Sequence, residues 1–438
     1  MLKRKFFLSW LILAVFVLVA SCSDDNDNGI NPVSDKAKIR VIHLSYDAPE
    51  VDVRIDGTVA ISSLGYQETS GYVEVDAGTH NVSVSPAGQS TPVVIDADLT
   101  LEANKDYTVY AVGDLANITA IVSEDMRTPS STNAKVRFVH ASPDAPAVDI
   151  KVNDGSGNAV FSNAAFQDIT GYAEVPAGDY TFVVTPAGLT AEVVVFNPIT
   201  LTAGTVYTFI ASGTLDNSDM VSFAVRAFVD NGNGNGFADF TAATANVQVT
   251  HASPDAPGVD LLVDGIVVNS APLEFPNSTG YLAVGAGSRN FKVNASGTTT
   301  TVIDANLTLR PNQFYSVFAV NFLSAIEPLV LEDDLTAPAA GKAHVRFLHA
   351  SPDAPMVDIT LTDGTTVFDD IEFKEVTAFT PLDAGTYDLQ VRTADGVTVV
   401  LDLPGIVLEN GKIYTVFAKG SINGVGGQNL GVETIVNK

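Results

Sequence analysis

Cysteine is nearly absent from these 438 residues: there is one, Cys22. A single thiol excludes a disulfide framework and a cysteine-based zinc cluster. Tryptophan is as scarce, with Trp10 alone. Basic residues are few, 23 Lys+Arg against 51 Asp+Glu, for a net charge of −28. That field repels a phosphate backbone, which excludes nucleic acid binding through general electrostatics. Charged residues make up only 17% of the chain while 46% is hydrophobic, so the acidity is not that of a disordered tail. There is no His-Glu-x-x-His, no Gly-x-Ser-x-Gly and no phosphate-binding loop. Apart from one N-terminal stretch, no apolar run approaches the length of a membrane span. What is plentiful is turn punctuation, 34 Gly and 21 Pro.

The N-terminal stretch reads as an address. Lys3, Arg4 and Lys5 precede a mostly apolar run, Phe6 to Ala20, short for a spanning helix and right for a signal h-region. It ends in Ala20-Ser21 directly before the only Cys. Val19-Ala20-Ser21-Cys22 resembles a bacterial lipobox. The resemblance implies cleavage before Cys22 and acylation of its sulfur and new amino group. Several acyl chains then anchor the protein, at about 0.8 kcal/mol per buried CH₂. Residues 1–21 are the expected lipoprotein signal peptide, and 22–37 the lipidated Cys with an acidic flexible tether. Cleavage removes three basic residues and no acidic one, leaving 20 against 51 and a charge of −31. Ser23-Asp-Asp-Asn-Asp-Asn-Gly29 also resembles the acidic export signal of surface-exposed lipoproteins of the Bacteroidetes. That implies an outer-membrane lipoprotein at the cell surface, with a periplasm-facing position as the alternative.

The rest of the chain repeats itself. Lys38-IRVIHLSYDAPEVDV, Lys135-VRFVHASPDAPAVDI, Asn246-VQVTHASPDAPGVDL and His344-VRFLHASPDAPMVDI are variants of one phrase. Their histidines, His43, His140, His251 and His349, lie 97, 111 and 98 residues apart. A Leu six residues before a Tyr follows in each unit, at Tyr107, Tyr207, Tyr315 and Tyr414. Units of ~100 residues are large enough to own a core, so the spacing predicts four domains: 38–133, 134–245, 246–341 and 342–438. Stacked end to end, they would reach on the order of 100–150 Å.

Each unit reads as all-β. Val247-Gln-Val-Thr-His251 alternates apolar and polar residues with period two. Asp-Gly and Ala-Gly turn signals recur every 8–12 residues, as in a sandwich of seven or eight short strands. The Leu-to-Tyr spacing resembles the tyrosine corner of Greek-key sandwiches, where the hydroxyl returns to upstream backbone. The expected fold is therefore four tandem immunoglobulin-like or transthyretin-like β-sandwich domains. The His-Ala-Ser-Pro-Asp-Ala-Pro phrase resembles the signature of the bacterial family catalogued as domain of unknown function 4397. The likeness is loosest in the first unit, where Tyr46 replaces the first Pro. It implies a secreted or lipid-anchored β domain and no established activity.

Three readings of the phrase compete. His43, Asp47 and Asp52, with His140, Asp144 and Asp149, His251, Asp255 and Asp260, and His349, Asp353 and Asp358, form a repeated structural or ligand motif. As a structural element, the His pins the Pro-rich crossover between two strands, and its ring N–H needs a carboxylate or carbonyl. As a metal site, His140, Asp144 and Asp149 would converge. As a hydrolase, Ser142, His140 and Asp144 would form a triad. The structural reading is preferred, because one turn rarely supplies base, orienter and oxyanion hole together. Asp230-Asn-Gly-Asn-Gly-Asn-Gly236 looks like a calcium loop but has Ala242 where a bidentate Glu is needed, so a flexible turn is expected. The composite expectation is a stalk for surface binding, adhesion or envelope architecture, without catalysis, cofactor or metal. Its partners are the membrane, through the lipid anchor, and a glycan or protein ligand. Glycan capture for nutrient uptake is the alternative, with Tyr72, Tyr172 and Tyr281 of the Ser/Thr-Gly-Tyr triplets as exposed platforms.

Overall fold

The computed structural model describes residues 35–153, 155–215 and 223–438. Cys22, the signal peptide and most of the tether lie outside the described residues. In the first repeat, β1 (Lys36–His43), β2 (Val51–Ile55), β3 (Thr58–Leu64), β4 (Val73–Asp76), β5 (Gly78–Pro86), β6 (Ile95–Leu101), β7 (Asp106–Val112) and β8 (Thr119–Glu124) form two sheets. Their orders are β4-β1-β7-β8 and β3-β2-β5-β6. All pairs are antiparallel except β1 with β7. The third and fourth repeats reproduce both orders. An immunoglobulin sandwich would pair its strands as ABED and CFG. The order here departs from that and fits the transthyretin-like alternative. Among the described residues the only helices are short 3-10 turns such as Leu115–Asn117 and Leu323–Ala325, and none is long and apolar enough to cross a membrane.

Each repeat closes its own core. Ile39, Val41, Val53, Val84 and Val109 fill the first; Phe138, Phe161, Phe182, Phe209 and Phe240 the second. Val, Leu and Ile fill most of the third, and Val345, Phe347, Ile359 and Val416 lie in the fourth. The second repeat differs by a fifth strand, Phe237–Phe240, added beside Ala224–Val229. The Gly/Asn run 230–236 is the turn between them.

The period-two pattern hides a second buried face. In β1 the residues between the core positions, Arg40 and Ile42, are as buried as Ile39 and Val41. The outer faces of β1 and β7 pack against the same faces of the second repeat. Ile42, Leu44, Tyr110 and Val112 meet Val139, Ala141, Ile210 and Phe228. The third and fourth repeats pair likewise, through Ala252, Phe318, Val320, Leu348, Ala350 and Phe417. A strand buried on both faces loses its solvent side. The four units are therefore two blocks of two, not independent beads. Side-by-side pairing leaves about half the end-to-end reach expected from four single domains.

The blocks are stacked. Gln67, which binds backbone at His43, donates to Ser212 beside His140 (2.9 Å), so the crossover ends of both repeats lie together. The third repeat seats on the second beside Val183 and Val195, which share a buried cluster with Ala243 and Ala286. Ser288 N donates to Glu192 O and Ala286 N to Ala243 O, each at 2.8 Å. A Cβ on Gly287 (φ +100°) would stand 2.4 Å from Glu192 O, so only glycine permits this approach. Three residues, 241–243, link the strands across the junction.

Candidate functional site

The four histidines occupy one geometry. Each lies at the end of a first strand, fully buried. Its Nε2 donates to the carbonyl of the second proline of the phrase: His43 to Pro49 (3.0 Å), His140 to Pro146 (3.2 Å), His251 to Pro257 (3.0 Å), His349 to Pro355 (3.1 Å). Nδ1 then carries no proton. It accepts the Ser45 amide in the first repeat (3.3 Å) and, among the described residues, has no partner in the other three. Burial pulls all four imidazoles below their ordinary 6.5.

The aspartates reach elsewhere. Asp47, Asp144, Asp255 and Asp353 accept the amides of Leu115, Leu215, Leu323 and Ile422, at 2.7 to 2.9 Å. Each thereby holds the turn after the strand that pairs parallel with the histidine's. Asp52 accepts from Ser63 N (3.0 Å) and Gly88 N (2.9 Å), and Asp149 from Asn163 N (2.7 Å) and Gly188 N (3.0 Å). Those backbone bonds hold both carboxyls below the usual range. Asp260 accepts from Gly297 N (2.9 Å) and Asp358 from Asp370 N (2.8 Å). Ser142 Oγ donates to Gly213 O at 2.7 Å, while the His140 ring donates to Pro146. The trio His140, Asp144 and Asp149 thus diverges onto three stretches of backbone. Among the described residues, no three His, Cys, Asp or Glu side chains are grouped to hold a metal ion.

The corner tyrosines share a geometry too. Tyr107, Tyr207, Tyr315 and Tyr414 accept, at the hydroxyl, the amides of Glu102 (3.2 Å), Thr202 (3.3 Å), Arg310 (3.0 Å) and Glu409 (3.0 Å). Each bond ties a late strand to the connection arriving from the other sheet. Tyr315→Phe leaves the Arg310 amide without this acceptor. It should lower unfolding stability by about 1 kcal/mol, read as a fall in the urea midpoint.

The densest polar chemistry is a cluster that sequence reasoning passed over. Between the first two repeats, Arg40 Nη2 lies 2.7 Å from Asp230, and Arg137 pairs with Asp125. All four side chains are within 2% of full burial. Each Arg crosses to the other repeat's Asp; the Asp of its own repeat is 3.8 or 3.9 Å away. Tyr72 donates to Asp125 (2.6 Å) and Tyr172 to Asp230 (2.7 Å). Arg40 Nε donates to Thr108 (3.0 Å) and Arg137 Nε to Thr208 (2.7 Å), whose hydroxyls pass on to the same carboxylates. The arrangement is two-fold in outline. Tyr72 and Tyr172 are thus anchored in a buried network. Tyr281 likewise donates to Asp333 (2.5 Å). This corrects their expected role as exposed platforms: phenol hydroxyls satisfy carboxylates that burial would otherwise leave short of donors.

The 230–236 run is the expected turn, but a pinned one. Asp230 faces Arg40 and Tyr172, so its carboxylate is not turned to a calcium loop. Nor is the turn free: Tyr72 N donates to Asn233 O (3.2 Å), Thr69 Oγ1 to Gly234 O (3.1 Å), and Arg127 to Asp230 O (3.0 Å). The signal that could have found the cluster is positional. Arg40, Arg137, Gln248 and Arg346 stand three residues before the four histidines, and Asp125, Asp230, Asp333 and Asn437 directly follow the strands beside the corner strands.

No curated protein matches the chain. Among solved structures, the Bacillus anthracis TIE protein aligns at 11% identity and a TM-score of 0.18, covering 89% of this chain and 74% of that one. A leucine-rich repeat protein from Bacteroides thetaiotaomicron aligns at 11% identity and a TM-score of 0.14, covering 42% and 25%. Scores this low carry no argument about fold or function. The family comparison is decisive. The model described as "Domain of unknown function (DUF4397)" matches four times, over residues 37–151, 134–235, 245–360 and 344–434, and the chain belongs to that family.

Proposed function

We propose that this protein is a non-catalytic, lipid-anchored stalk of the cell envelope, displayed on the outer membrane for surface binding, adhesion or envelope architecture. The observation that carries the reading is the repeated engagement of its polar groups. In all four units the motif His and Asp side chains hold backbone, and the remaining buried charges hold one repeat to the next. Such a layout supports rigidity rather than turnover. The acidic surface keeps the stalk soluble and disfavours contact with anionic lipid. The glycan-uptake alternative loses its principal support now that Tyr72, Tyr172 and Tyr281 are engaged internally.

The test combines anchoring and exposure. Wild type should partition with membranes, incorporate labelled palmitate and be cut when intact cells are shaved with protease. Cys22→Ser should abolish labelling and release the protein from the membrane fraction. A labelled protein that survives shaving until lysis would place it facing the periplasm and end the surface reading. A Cys22→Ser chain that stays in the membrane would end the anchor reading.

A further inference from the structure

We infer that the buried charges are a pairing code that makes the outer sheet face of the third repeat an interaction surface for the fourth repeat alone. The comparison is internal. The first and second repeats each bring one Arg and one Asp to their shared face, Arg40 with Asp125 and Arg137 with Asp230. The third brings Gln248 with Asp333, and the fourth Arg346 with Asn437. Charge is missing at two of the equivalent positions, and those two lie opposite one another. Gln248 stands where Arg40 stands, and Asn437 where Asp230 stands. The Arg346–Asp333 ion pair, at 2.5 Å, is kept. The neutral pair is bonded within the layer: Gln248 to Ser316 (2.8 Å), Thr415 to Asn437 (2.7 Å), and Asn437 to Tyr281 (3.1 Å).

The consequence is polarity. Of the buried charges, the third face carries an anion only and the fourth a cation only. Two third faces would bury two carboxylates without a cation, and two fourth faces two guanidiniums without an anion. Either arrangement is strongly disfavoured, because an unpaired buried charge is far costlier than a paired one. The first two faces have no such polarity: each holds both signs, so either complements a copy of itself. One block is thus selective and the other permissive, on the same backbone.

The test uses the full chain and two double variants sharing one substitution. In Gln248→Arg with Asn437→Asp, the second ion pair of the first block is recreated and the faces match. In Gln248→Arg with Asp333→Asn, the third face becomes a copy of the fourth and two cations oppose two amides. The matched variant should melt within a few degrees of wild type. The mismatched variant should lose at least roughly 6–20 °C in the transition of the second block and bind a dye specific for exposed apolar surface. Failure of the matched variant to outlast the mismatched one, or a mismatched variant that melts like wild type, would overturn the code.

Discussion

Asp230→Ala should lower the melting temperature of the first block by roughly 6–20 °C. The estimate follows from about 3–5 kcal/mol for removing one partner of a buried ion pair, at about 2–4 °C per kcal/mol for a unit of this size. The loss is large because one carboxylate serves several donors. Arg40 loses its 2.7 Å partner, and Tyr172 and Thr208 lose an acceptor. Arg40 is completely buried, so water cannot take over. The remaining carboxylate, Asp125, is 3.8 Å from Arg40 and already serves Arg137. A surface pair supplies the scale. Lys342 and Asp383 lie 2.9 Å apart, but their side chains are 37% and 78% exposed. Asp383→Ala should cost less than about 1 kcal/mol. Differential scanning calorimetry of both variants checks the contrast. If Asp230→Ala and Asp383→Ala melt alike, the cluster does not hold the repeats together.

The structure explains why the fold could be read from the sequence and the pairing could not. Strand alternation and turn residues act over a few positions, so Val148-Asp-Ile-Lys-Val152 announces a strand by itself. The four histidines and four tyrosines mark copies of one unit whatever its partners. Arg40 is different. Its partner Asp230 lies 190 residues away, in another repeat. Taken singly, an Arg in a strand reads as a solvated face, and an Asp before an Asn/Gly run reads as a turn. Only the register of the four copies distinguishes them, through a lone Gln at 248 and a lone Asn at 437. The tyrosines of the Ser/Thr-Gly-Tyr triplets misled for the same reason: their hydroxyls answer carboxylates beyond local sequence. The motif aspartates are intermediate. An Asx turn is a local expectation, yet Asp47 caps Leu115, 68 residues on.

Mild acid should weaken both blocks. The unfolded chain protonates its histidines at about 6.5. In the folded chain, His43, His140, His251 and His349 resist, since burial lowers all four. Their Nε2 already donates to a proline carbonyl. A second proton would sit on Nδ1, which in three repeats has no partner among the described residues. The unfolded state therefore binds more protons below pH 6.5, and stability falls as pH drops. The loss begins near the unfolded value and stops only below the folded one. Its limiting slope is about 1.4 kcal/mol per pH unit for each His, hence roughly 2.7 for a block of two repeats. His80 works in the opposite sense, being raised by its bond to Asp56. It is an exposed contact, so the four buried rings dominate. Asp52 and Asp149 are lowered, and their contribution is lost only at more acid pH. Urea midpoints measured from pH 7.5 to 5 should therefore fall steadily. His349→Gln provides the internal control. It removes the Pro355 bond and starts from a lower midpoint, but its second block should show a shallower slope, because one of that block's two buried imidazoles is gone. A midpoint that stays flat to pH 5 in wild type would mean that the rings accept a proton without cost, and that the crossover does not depend on a neutral imidazole.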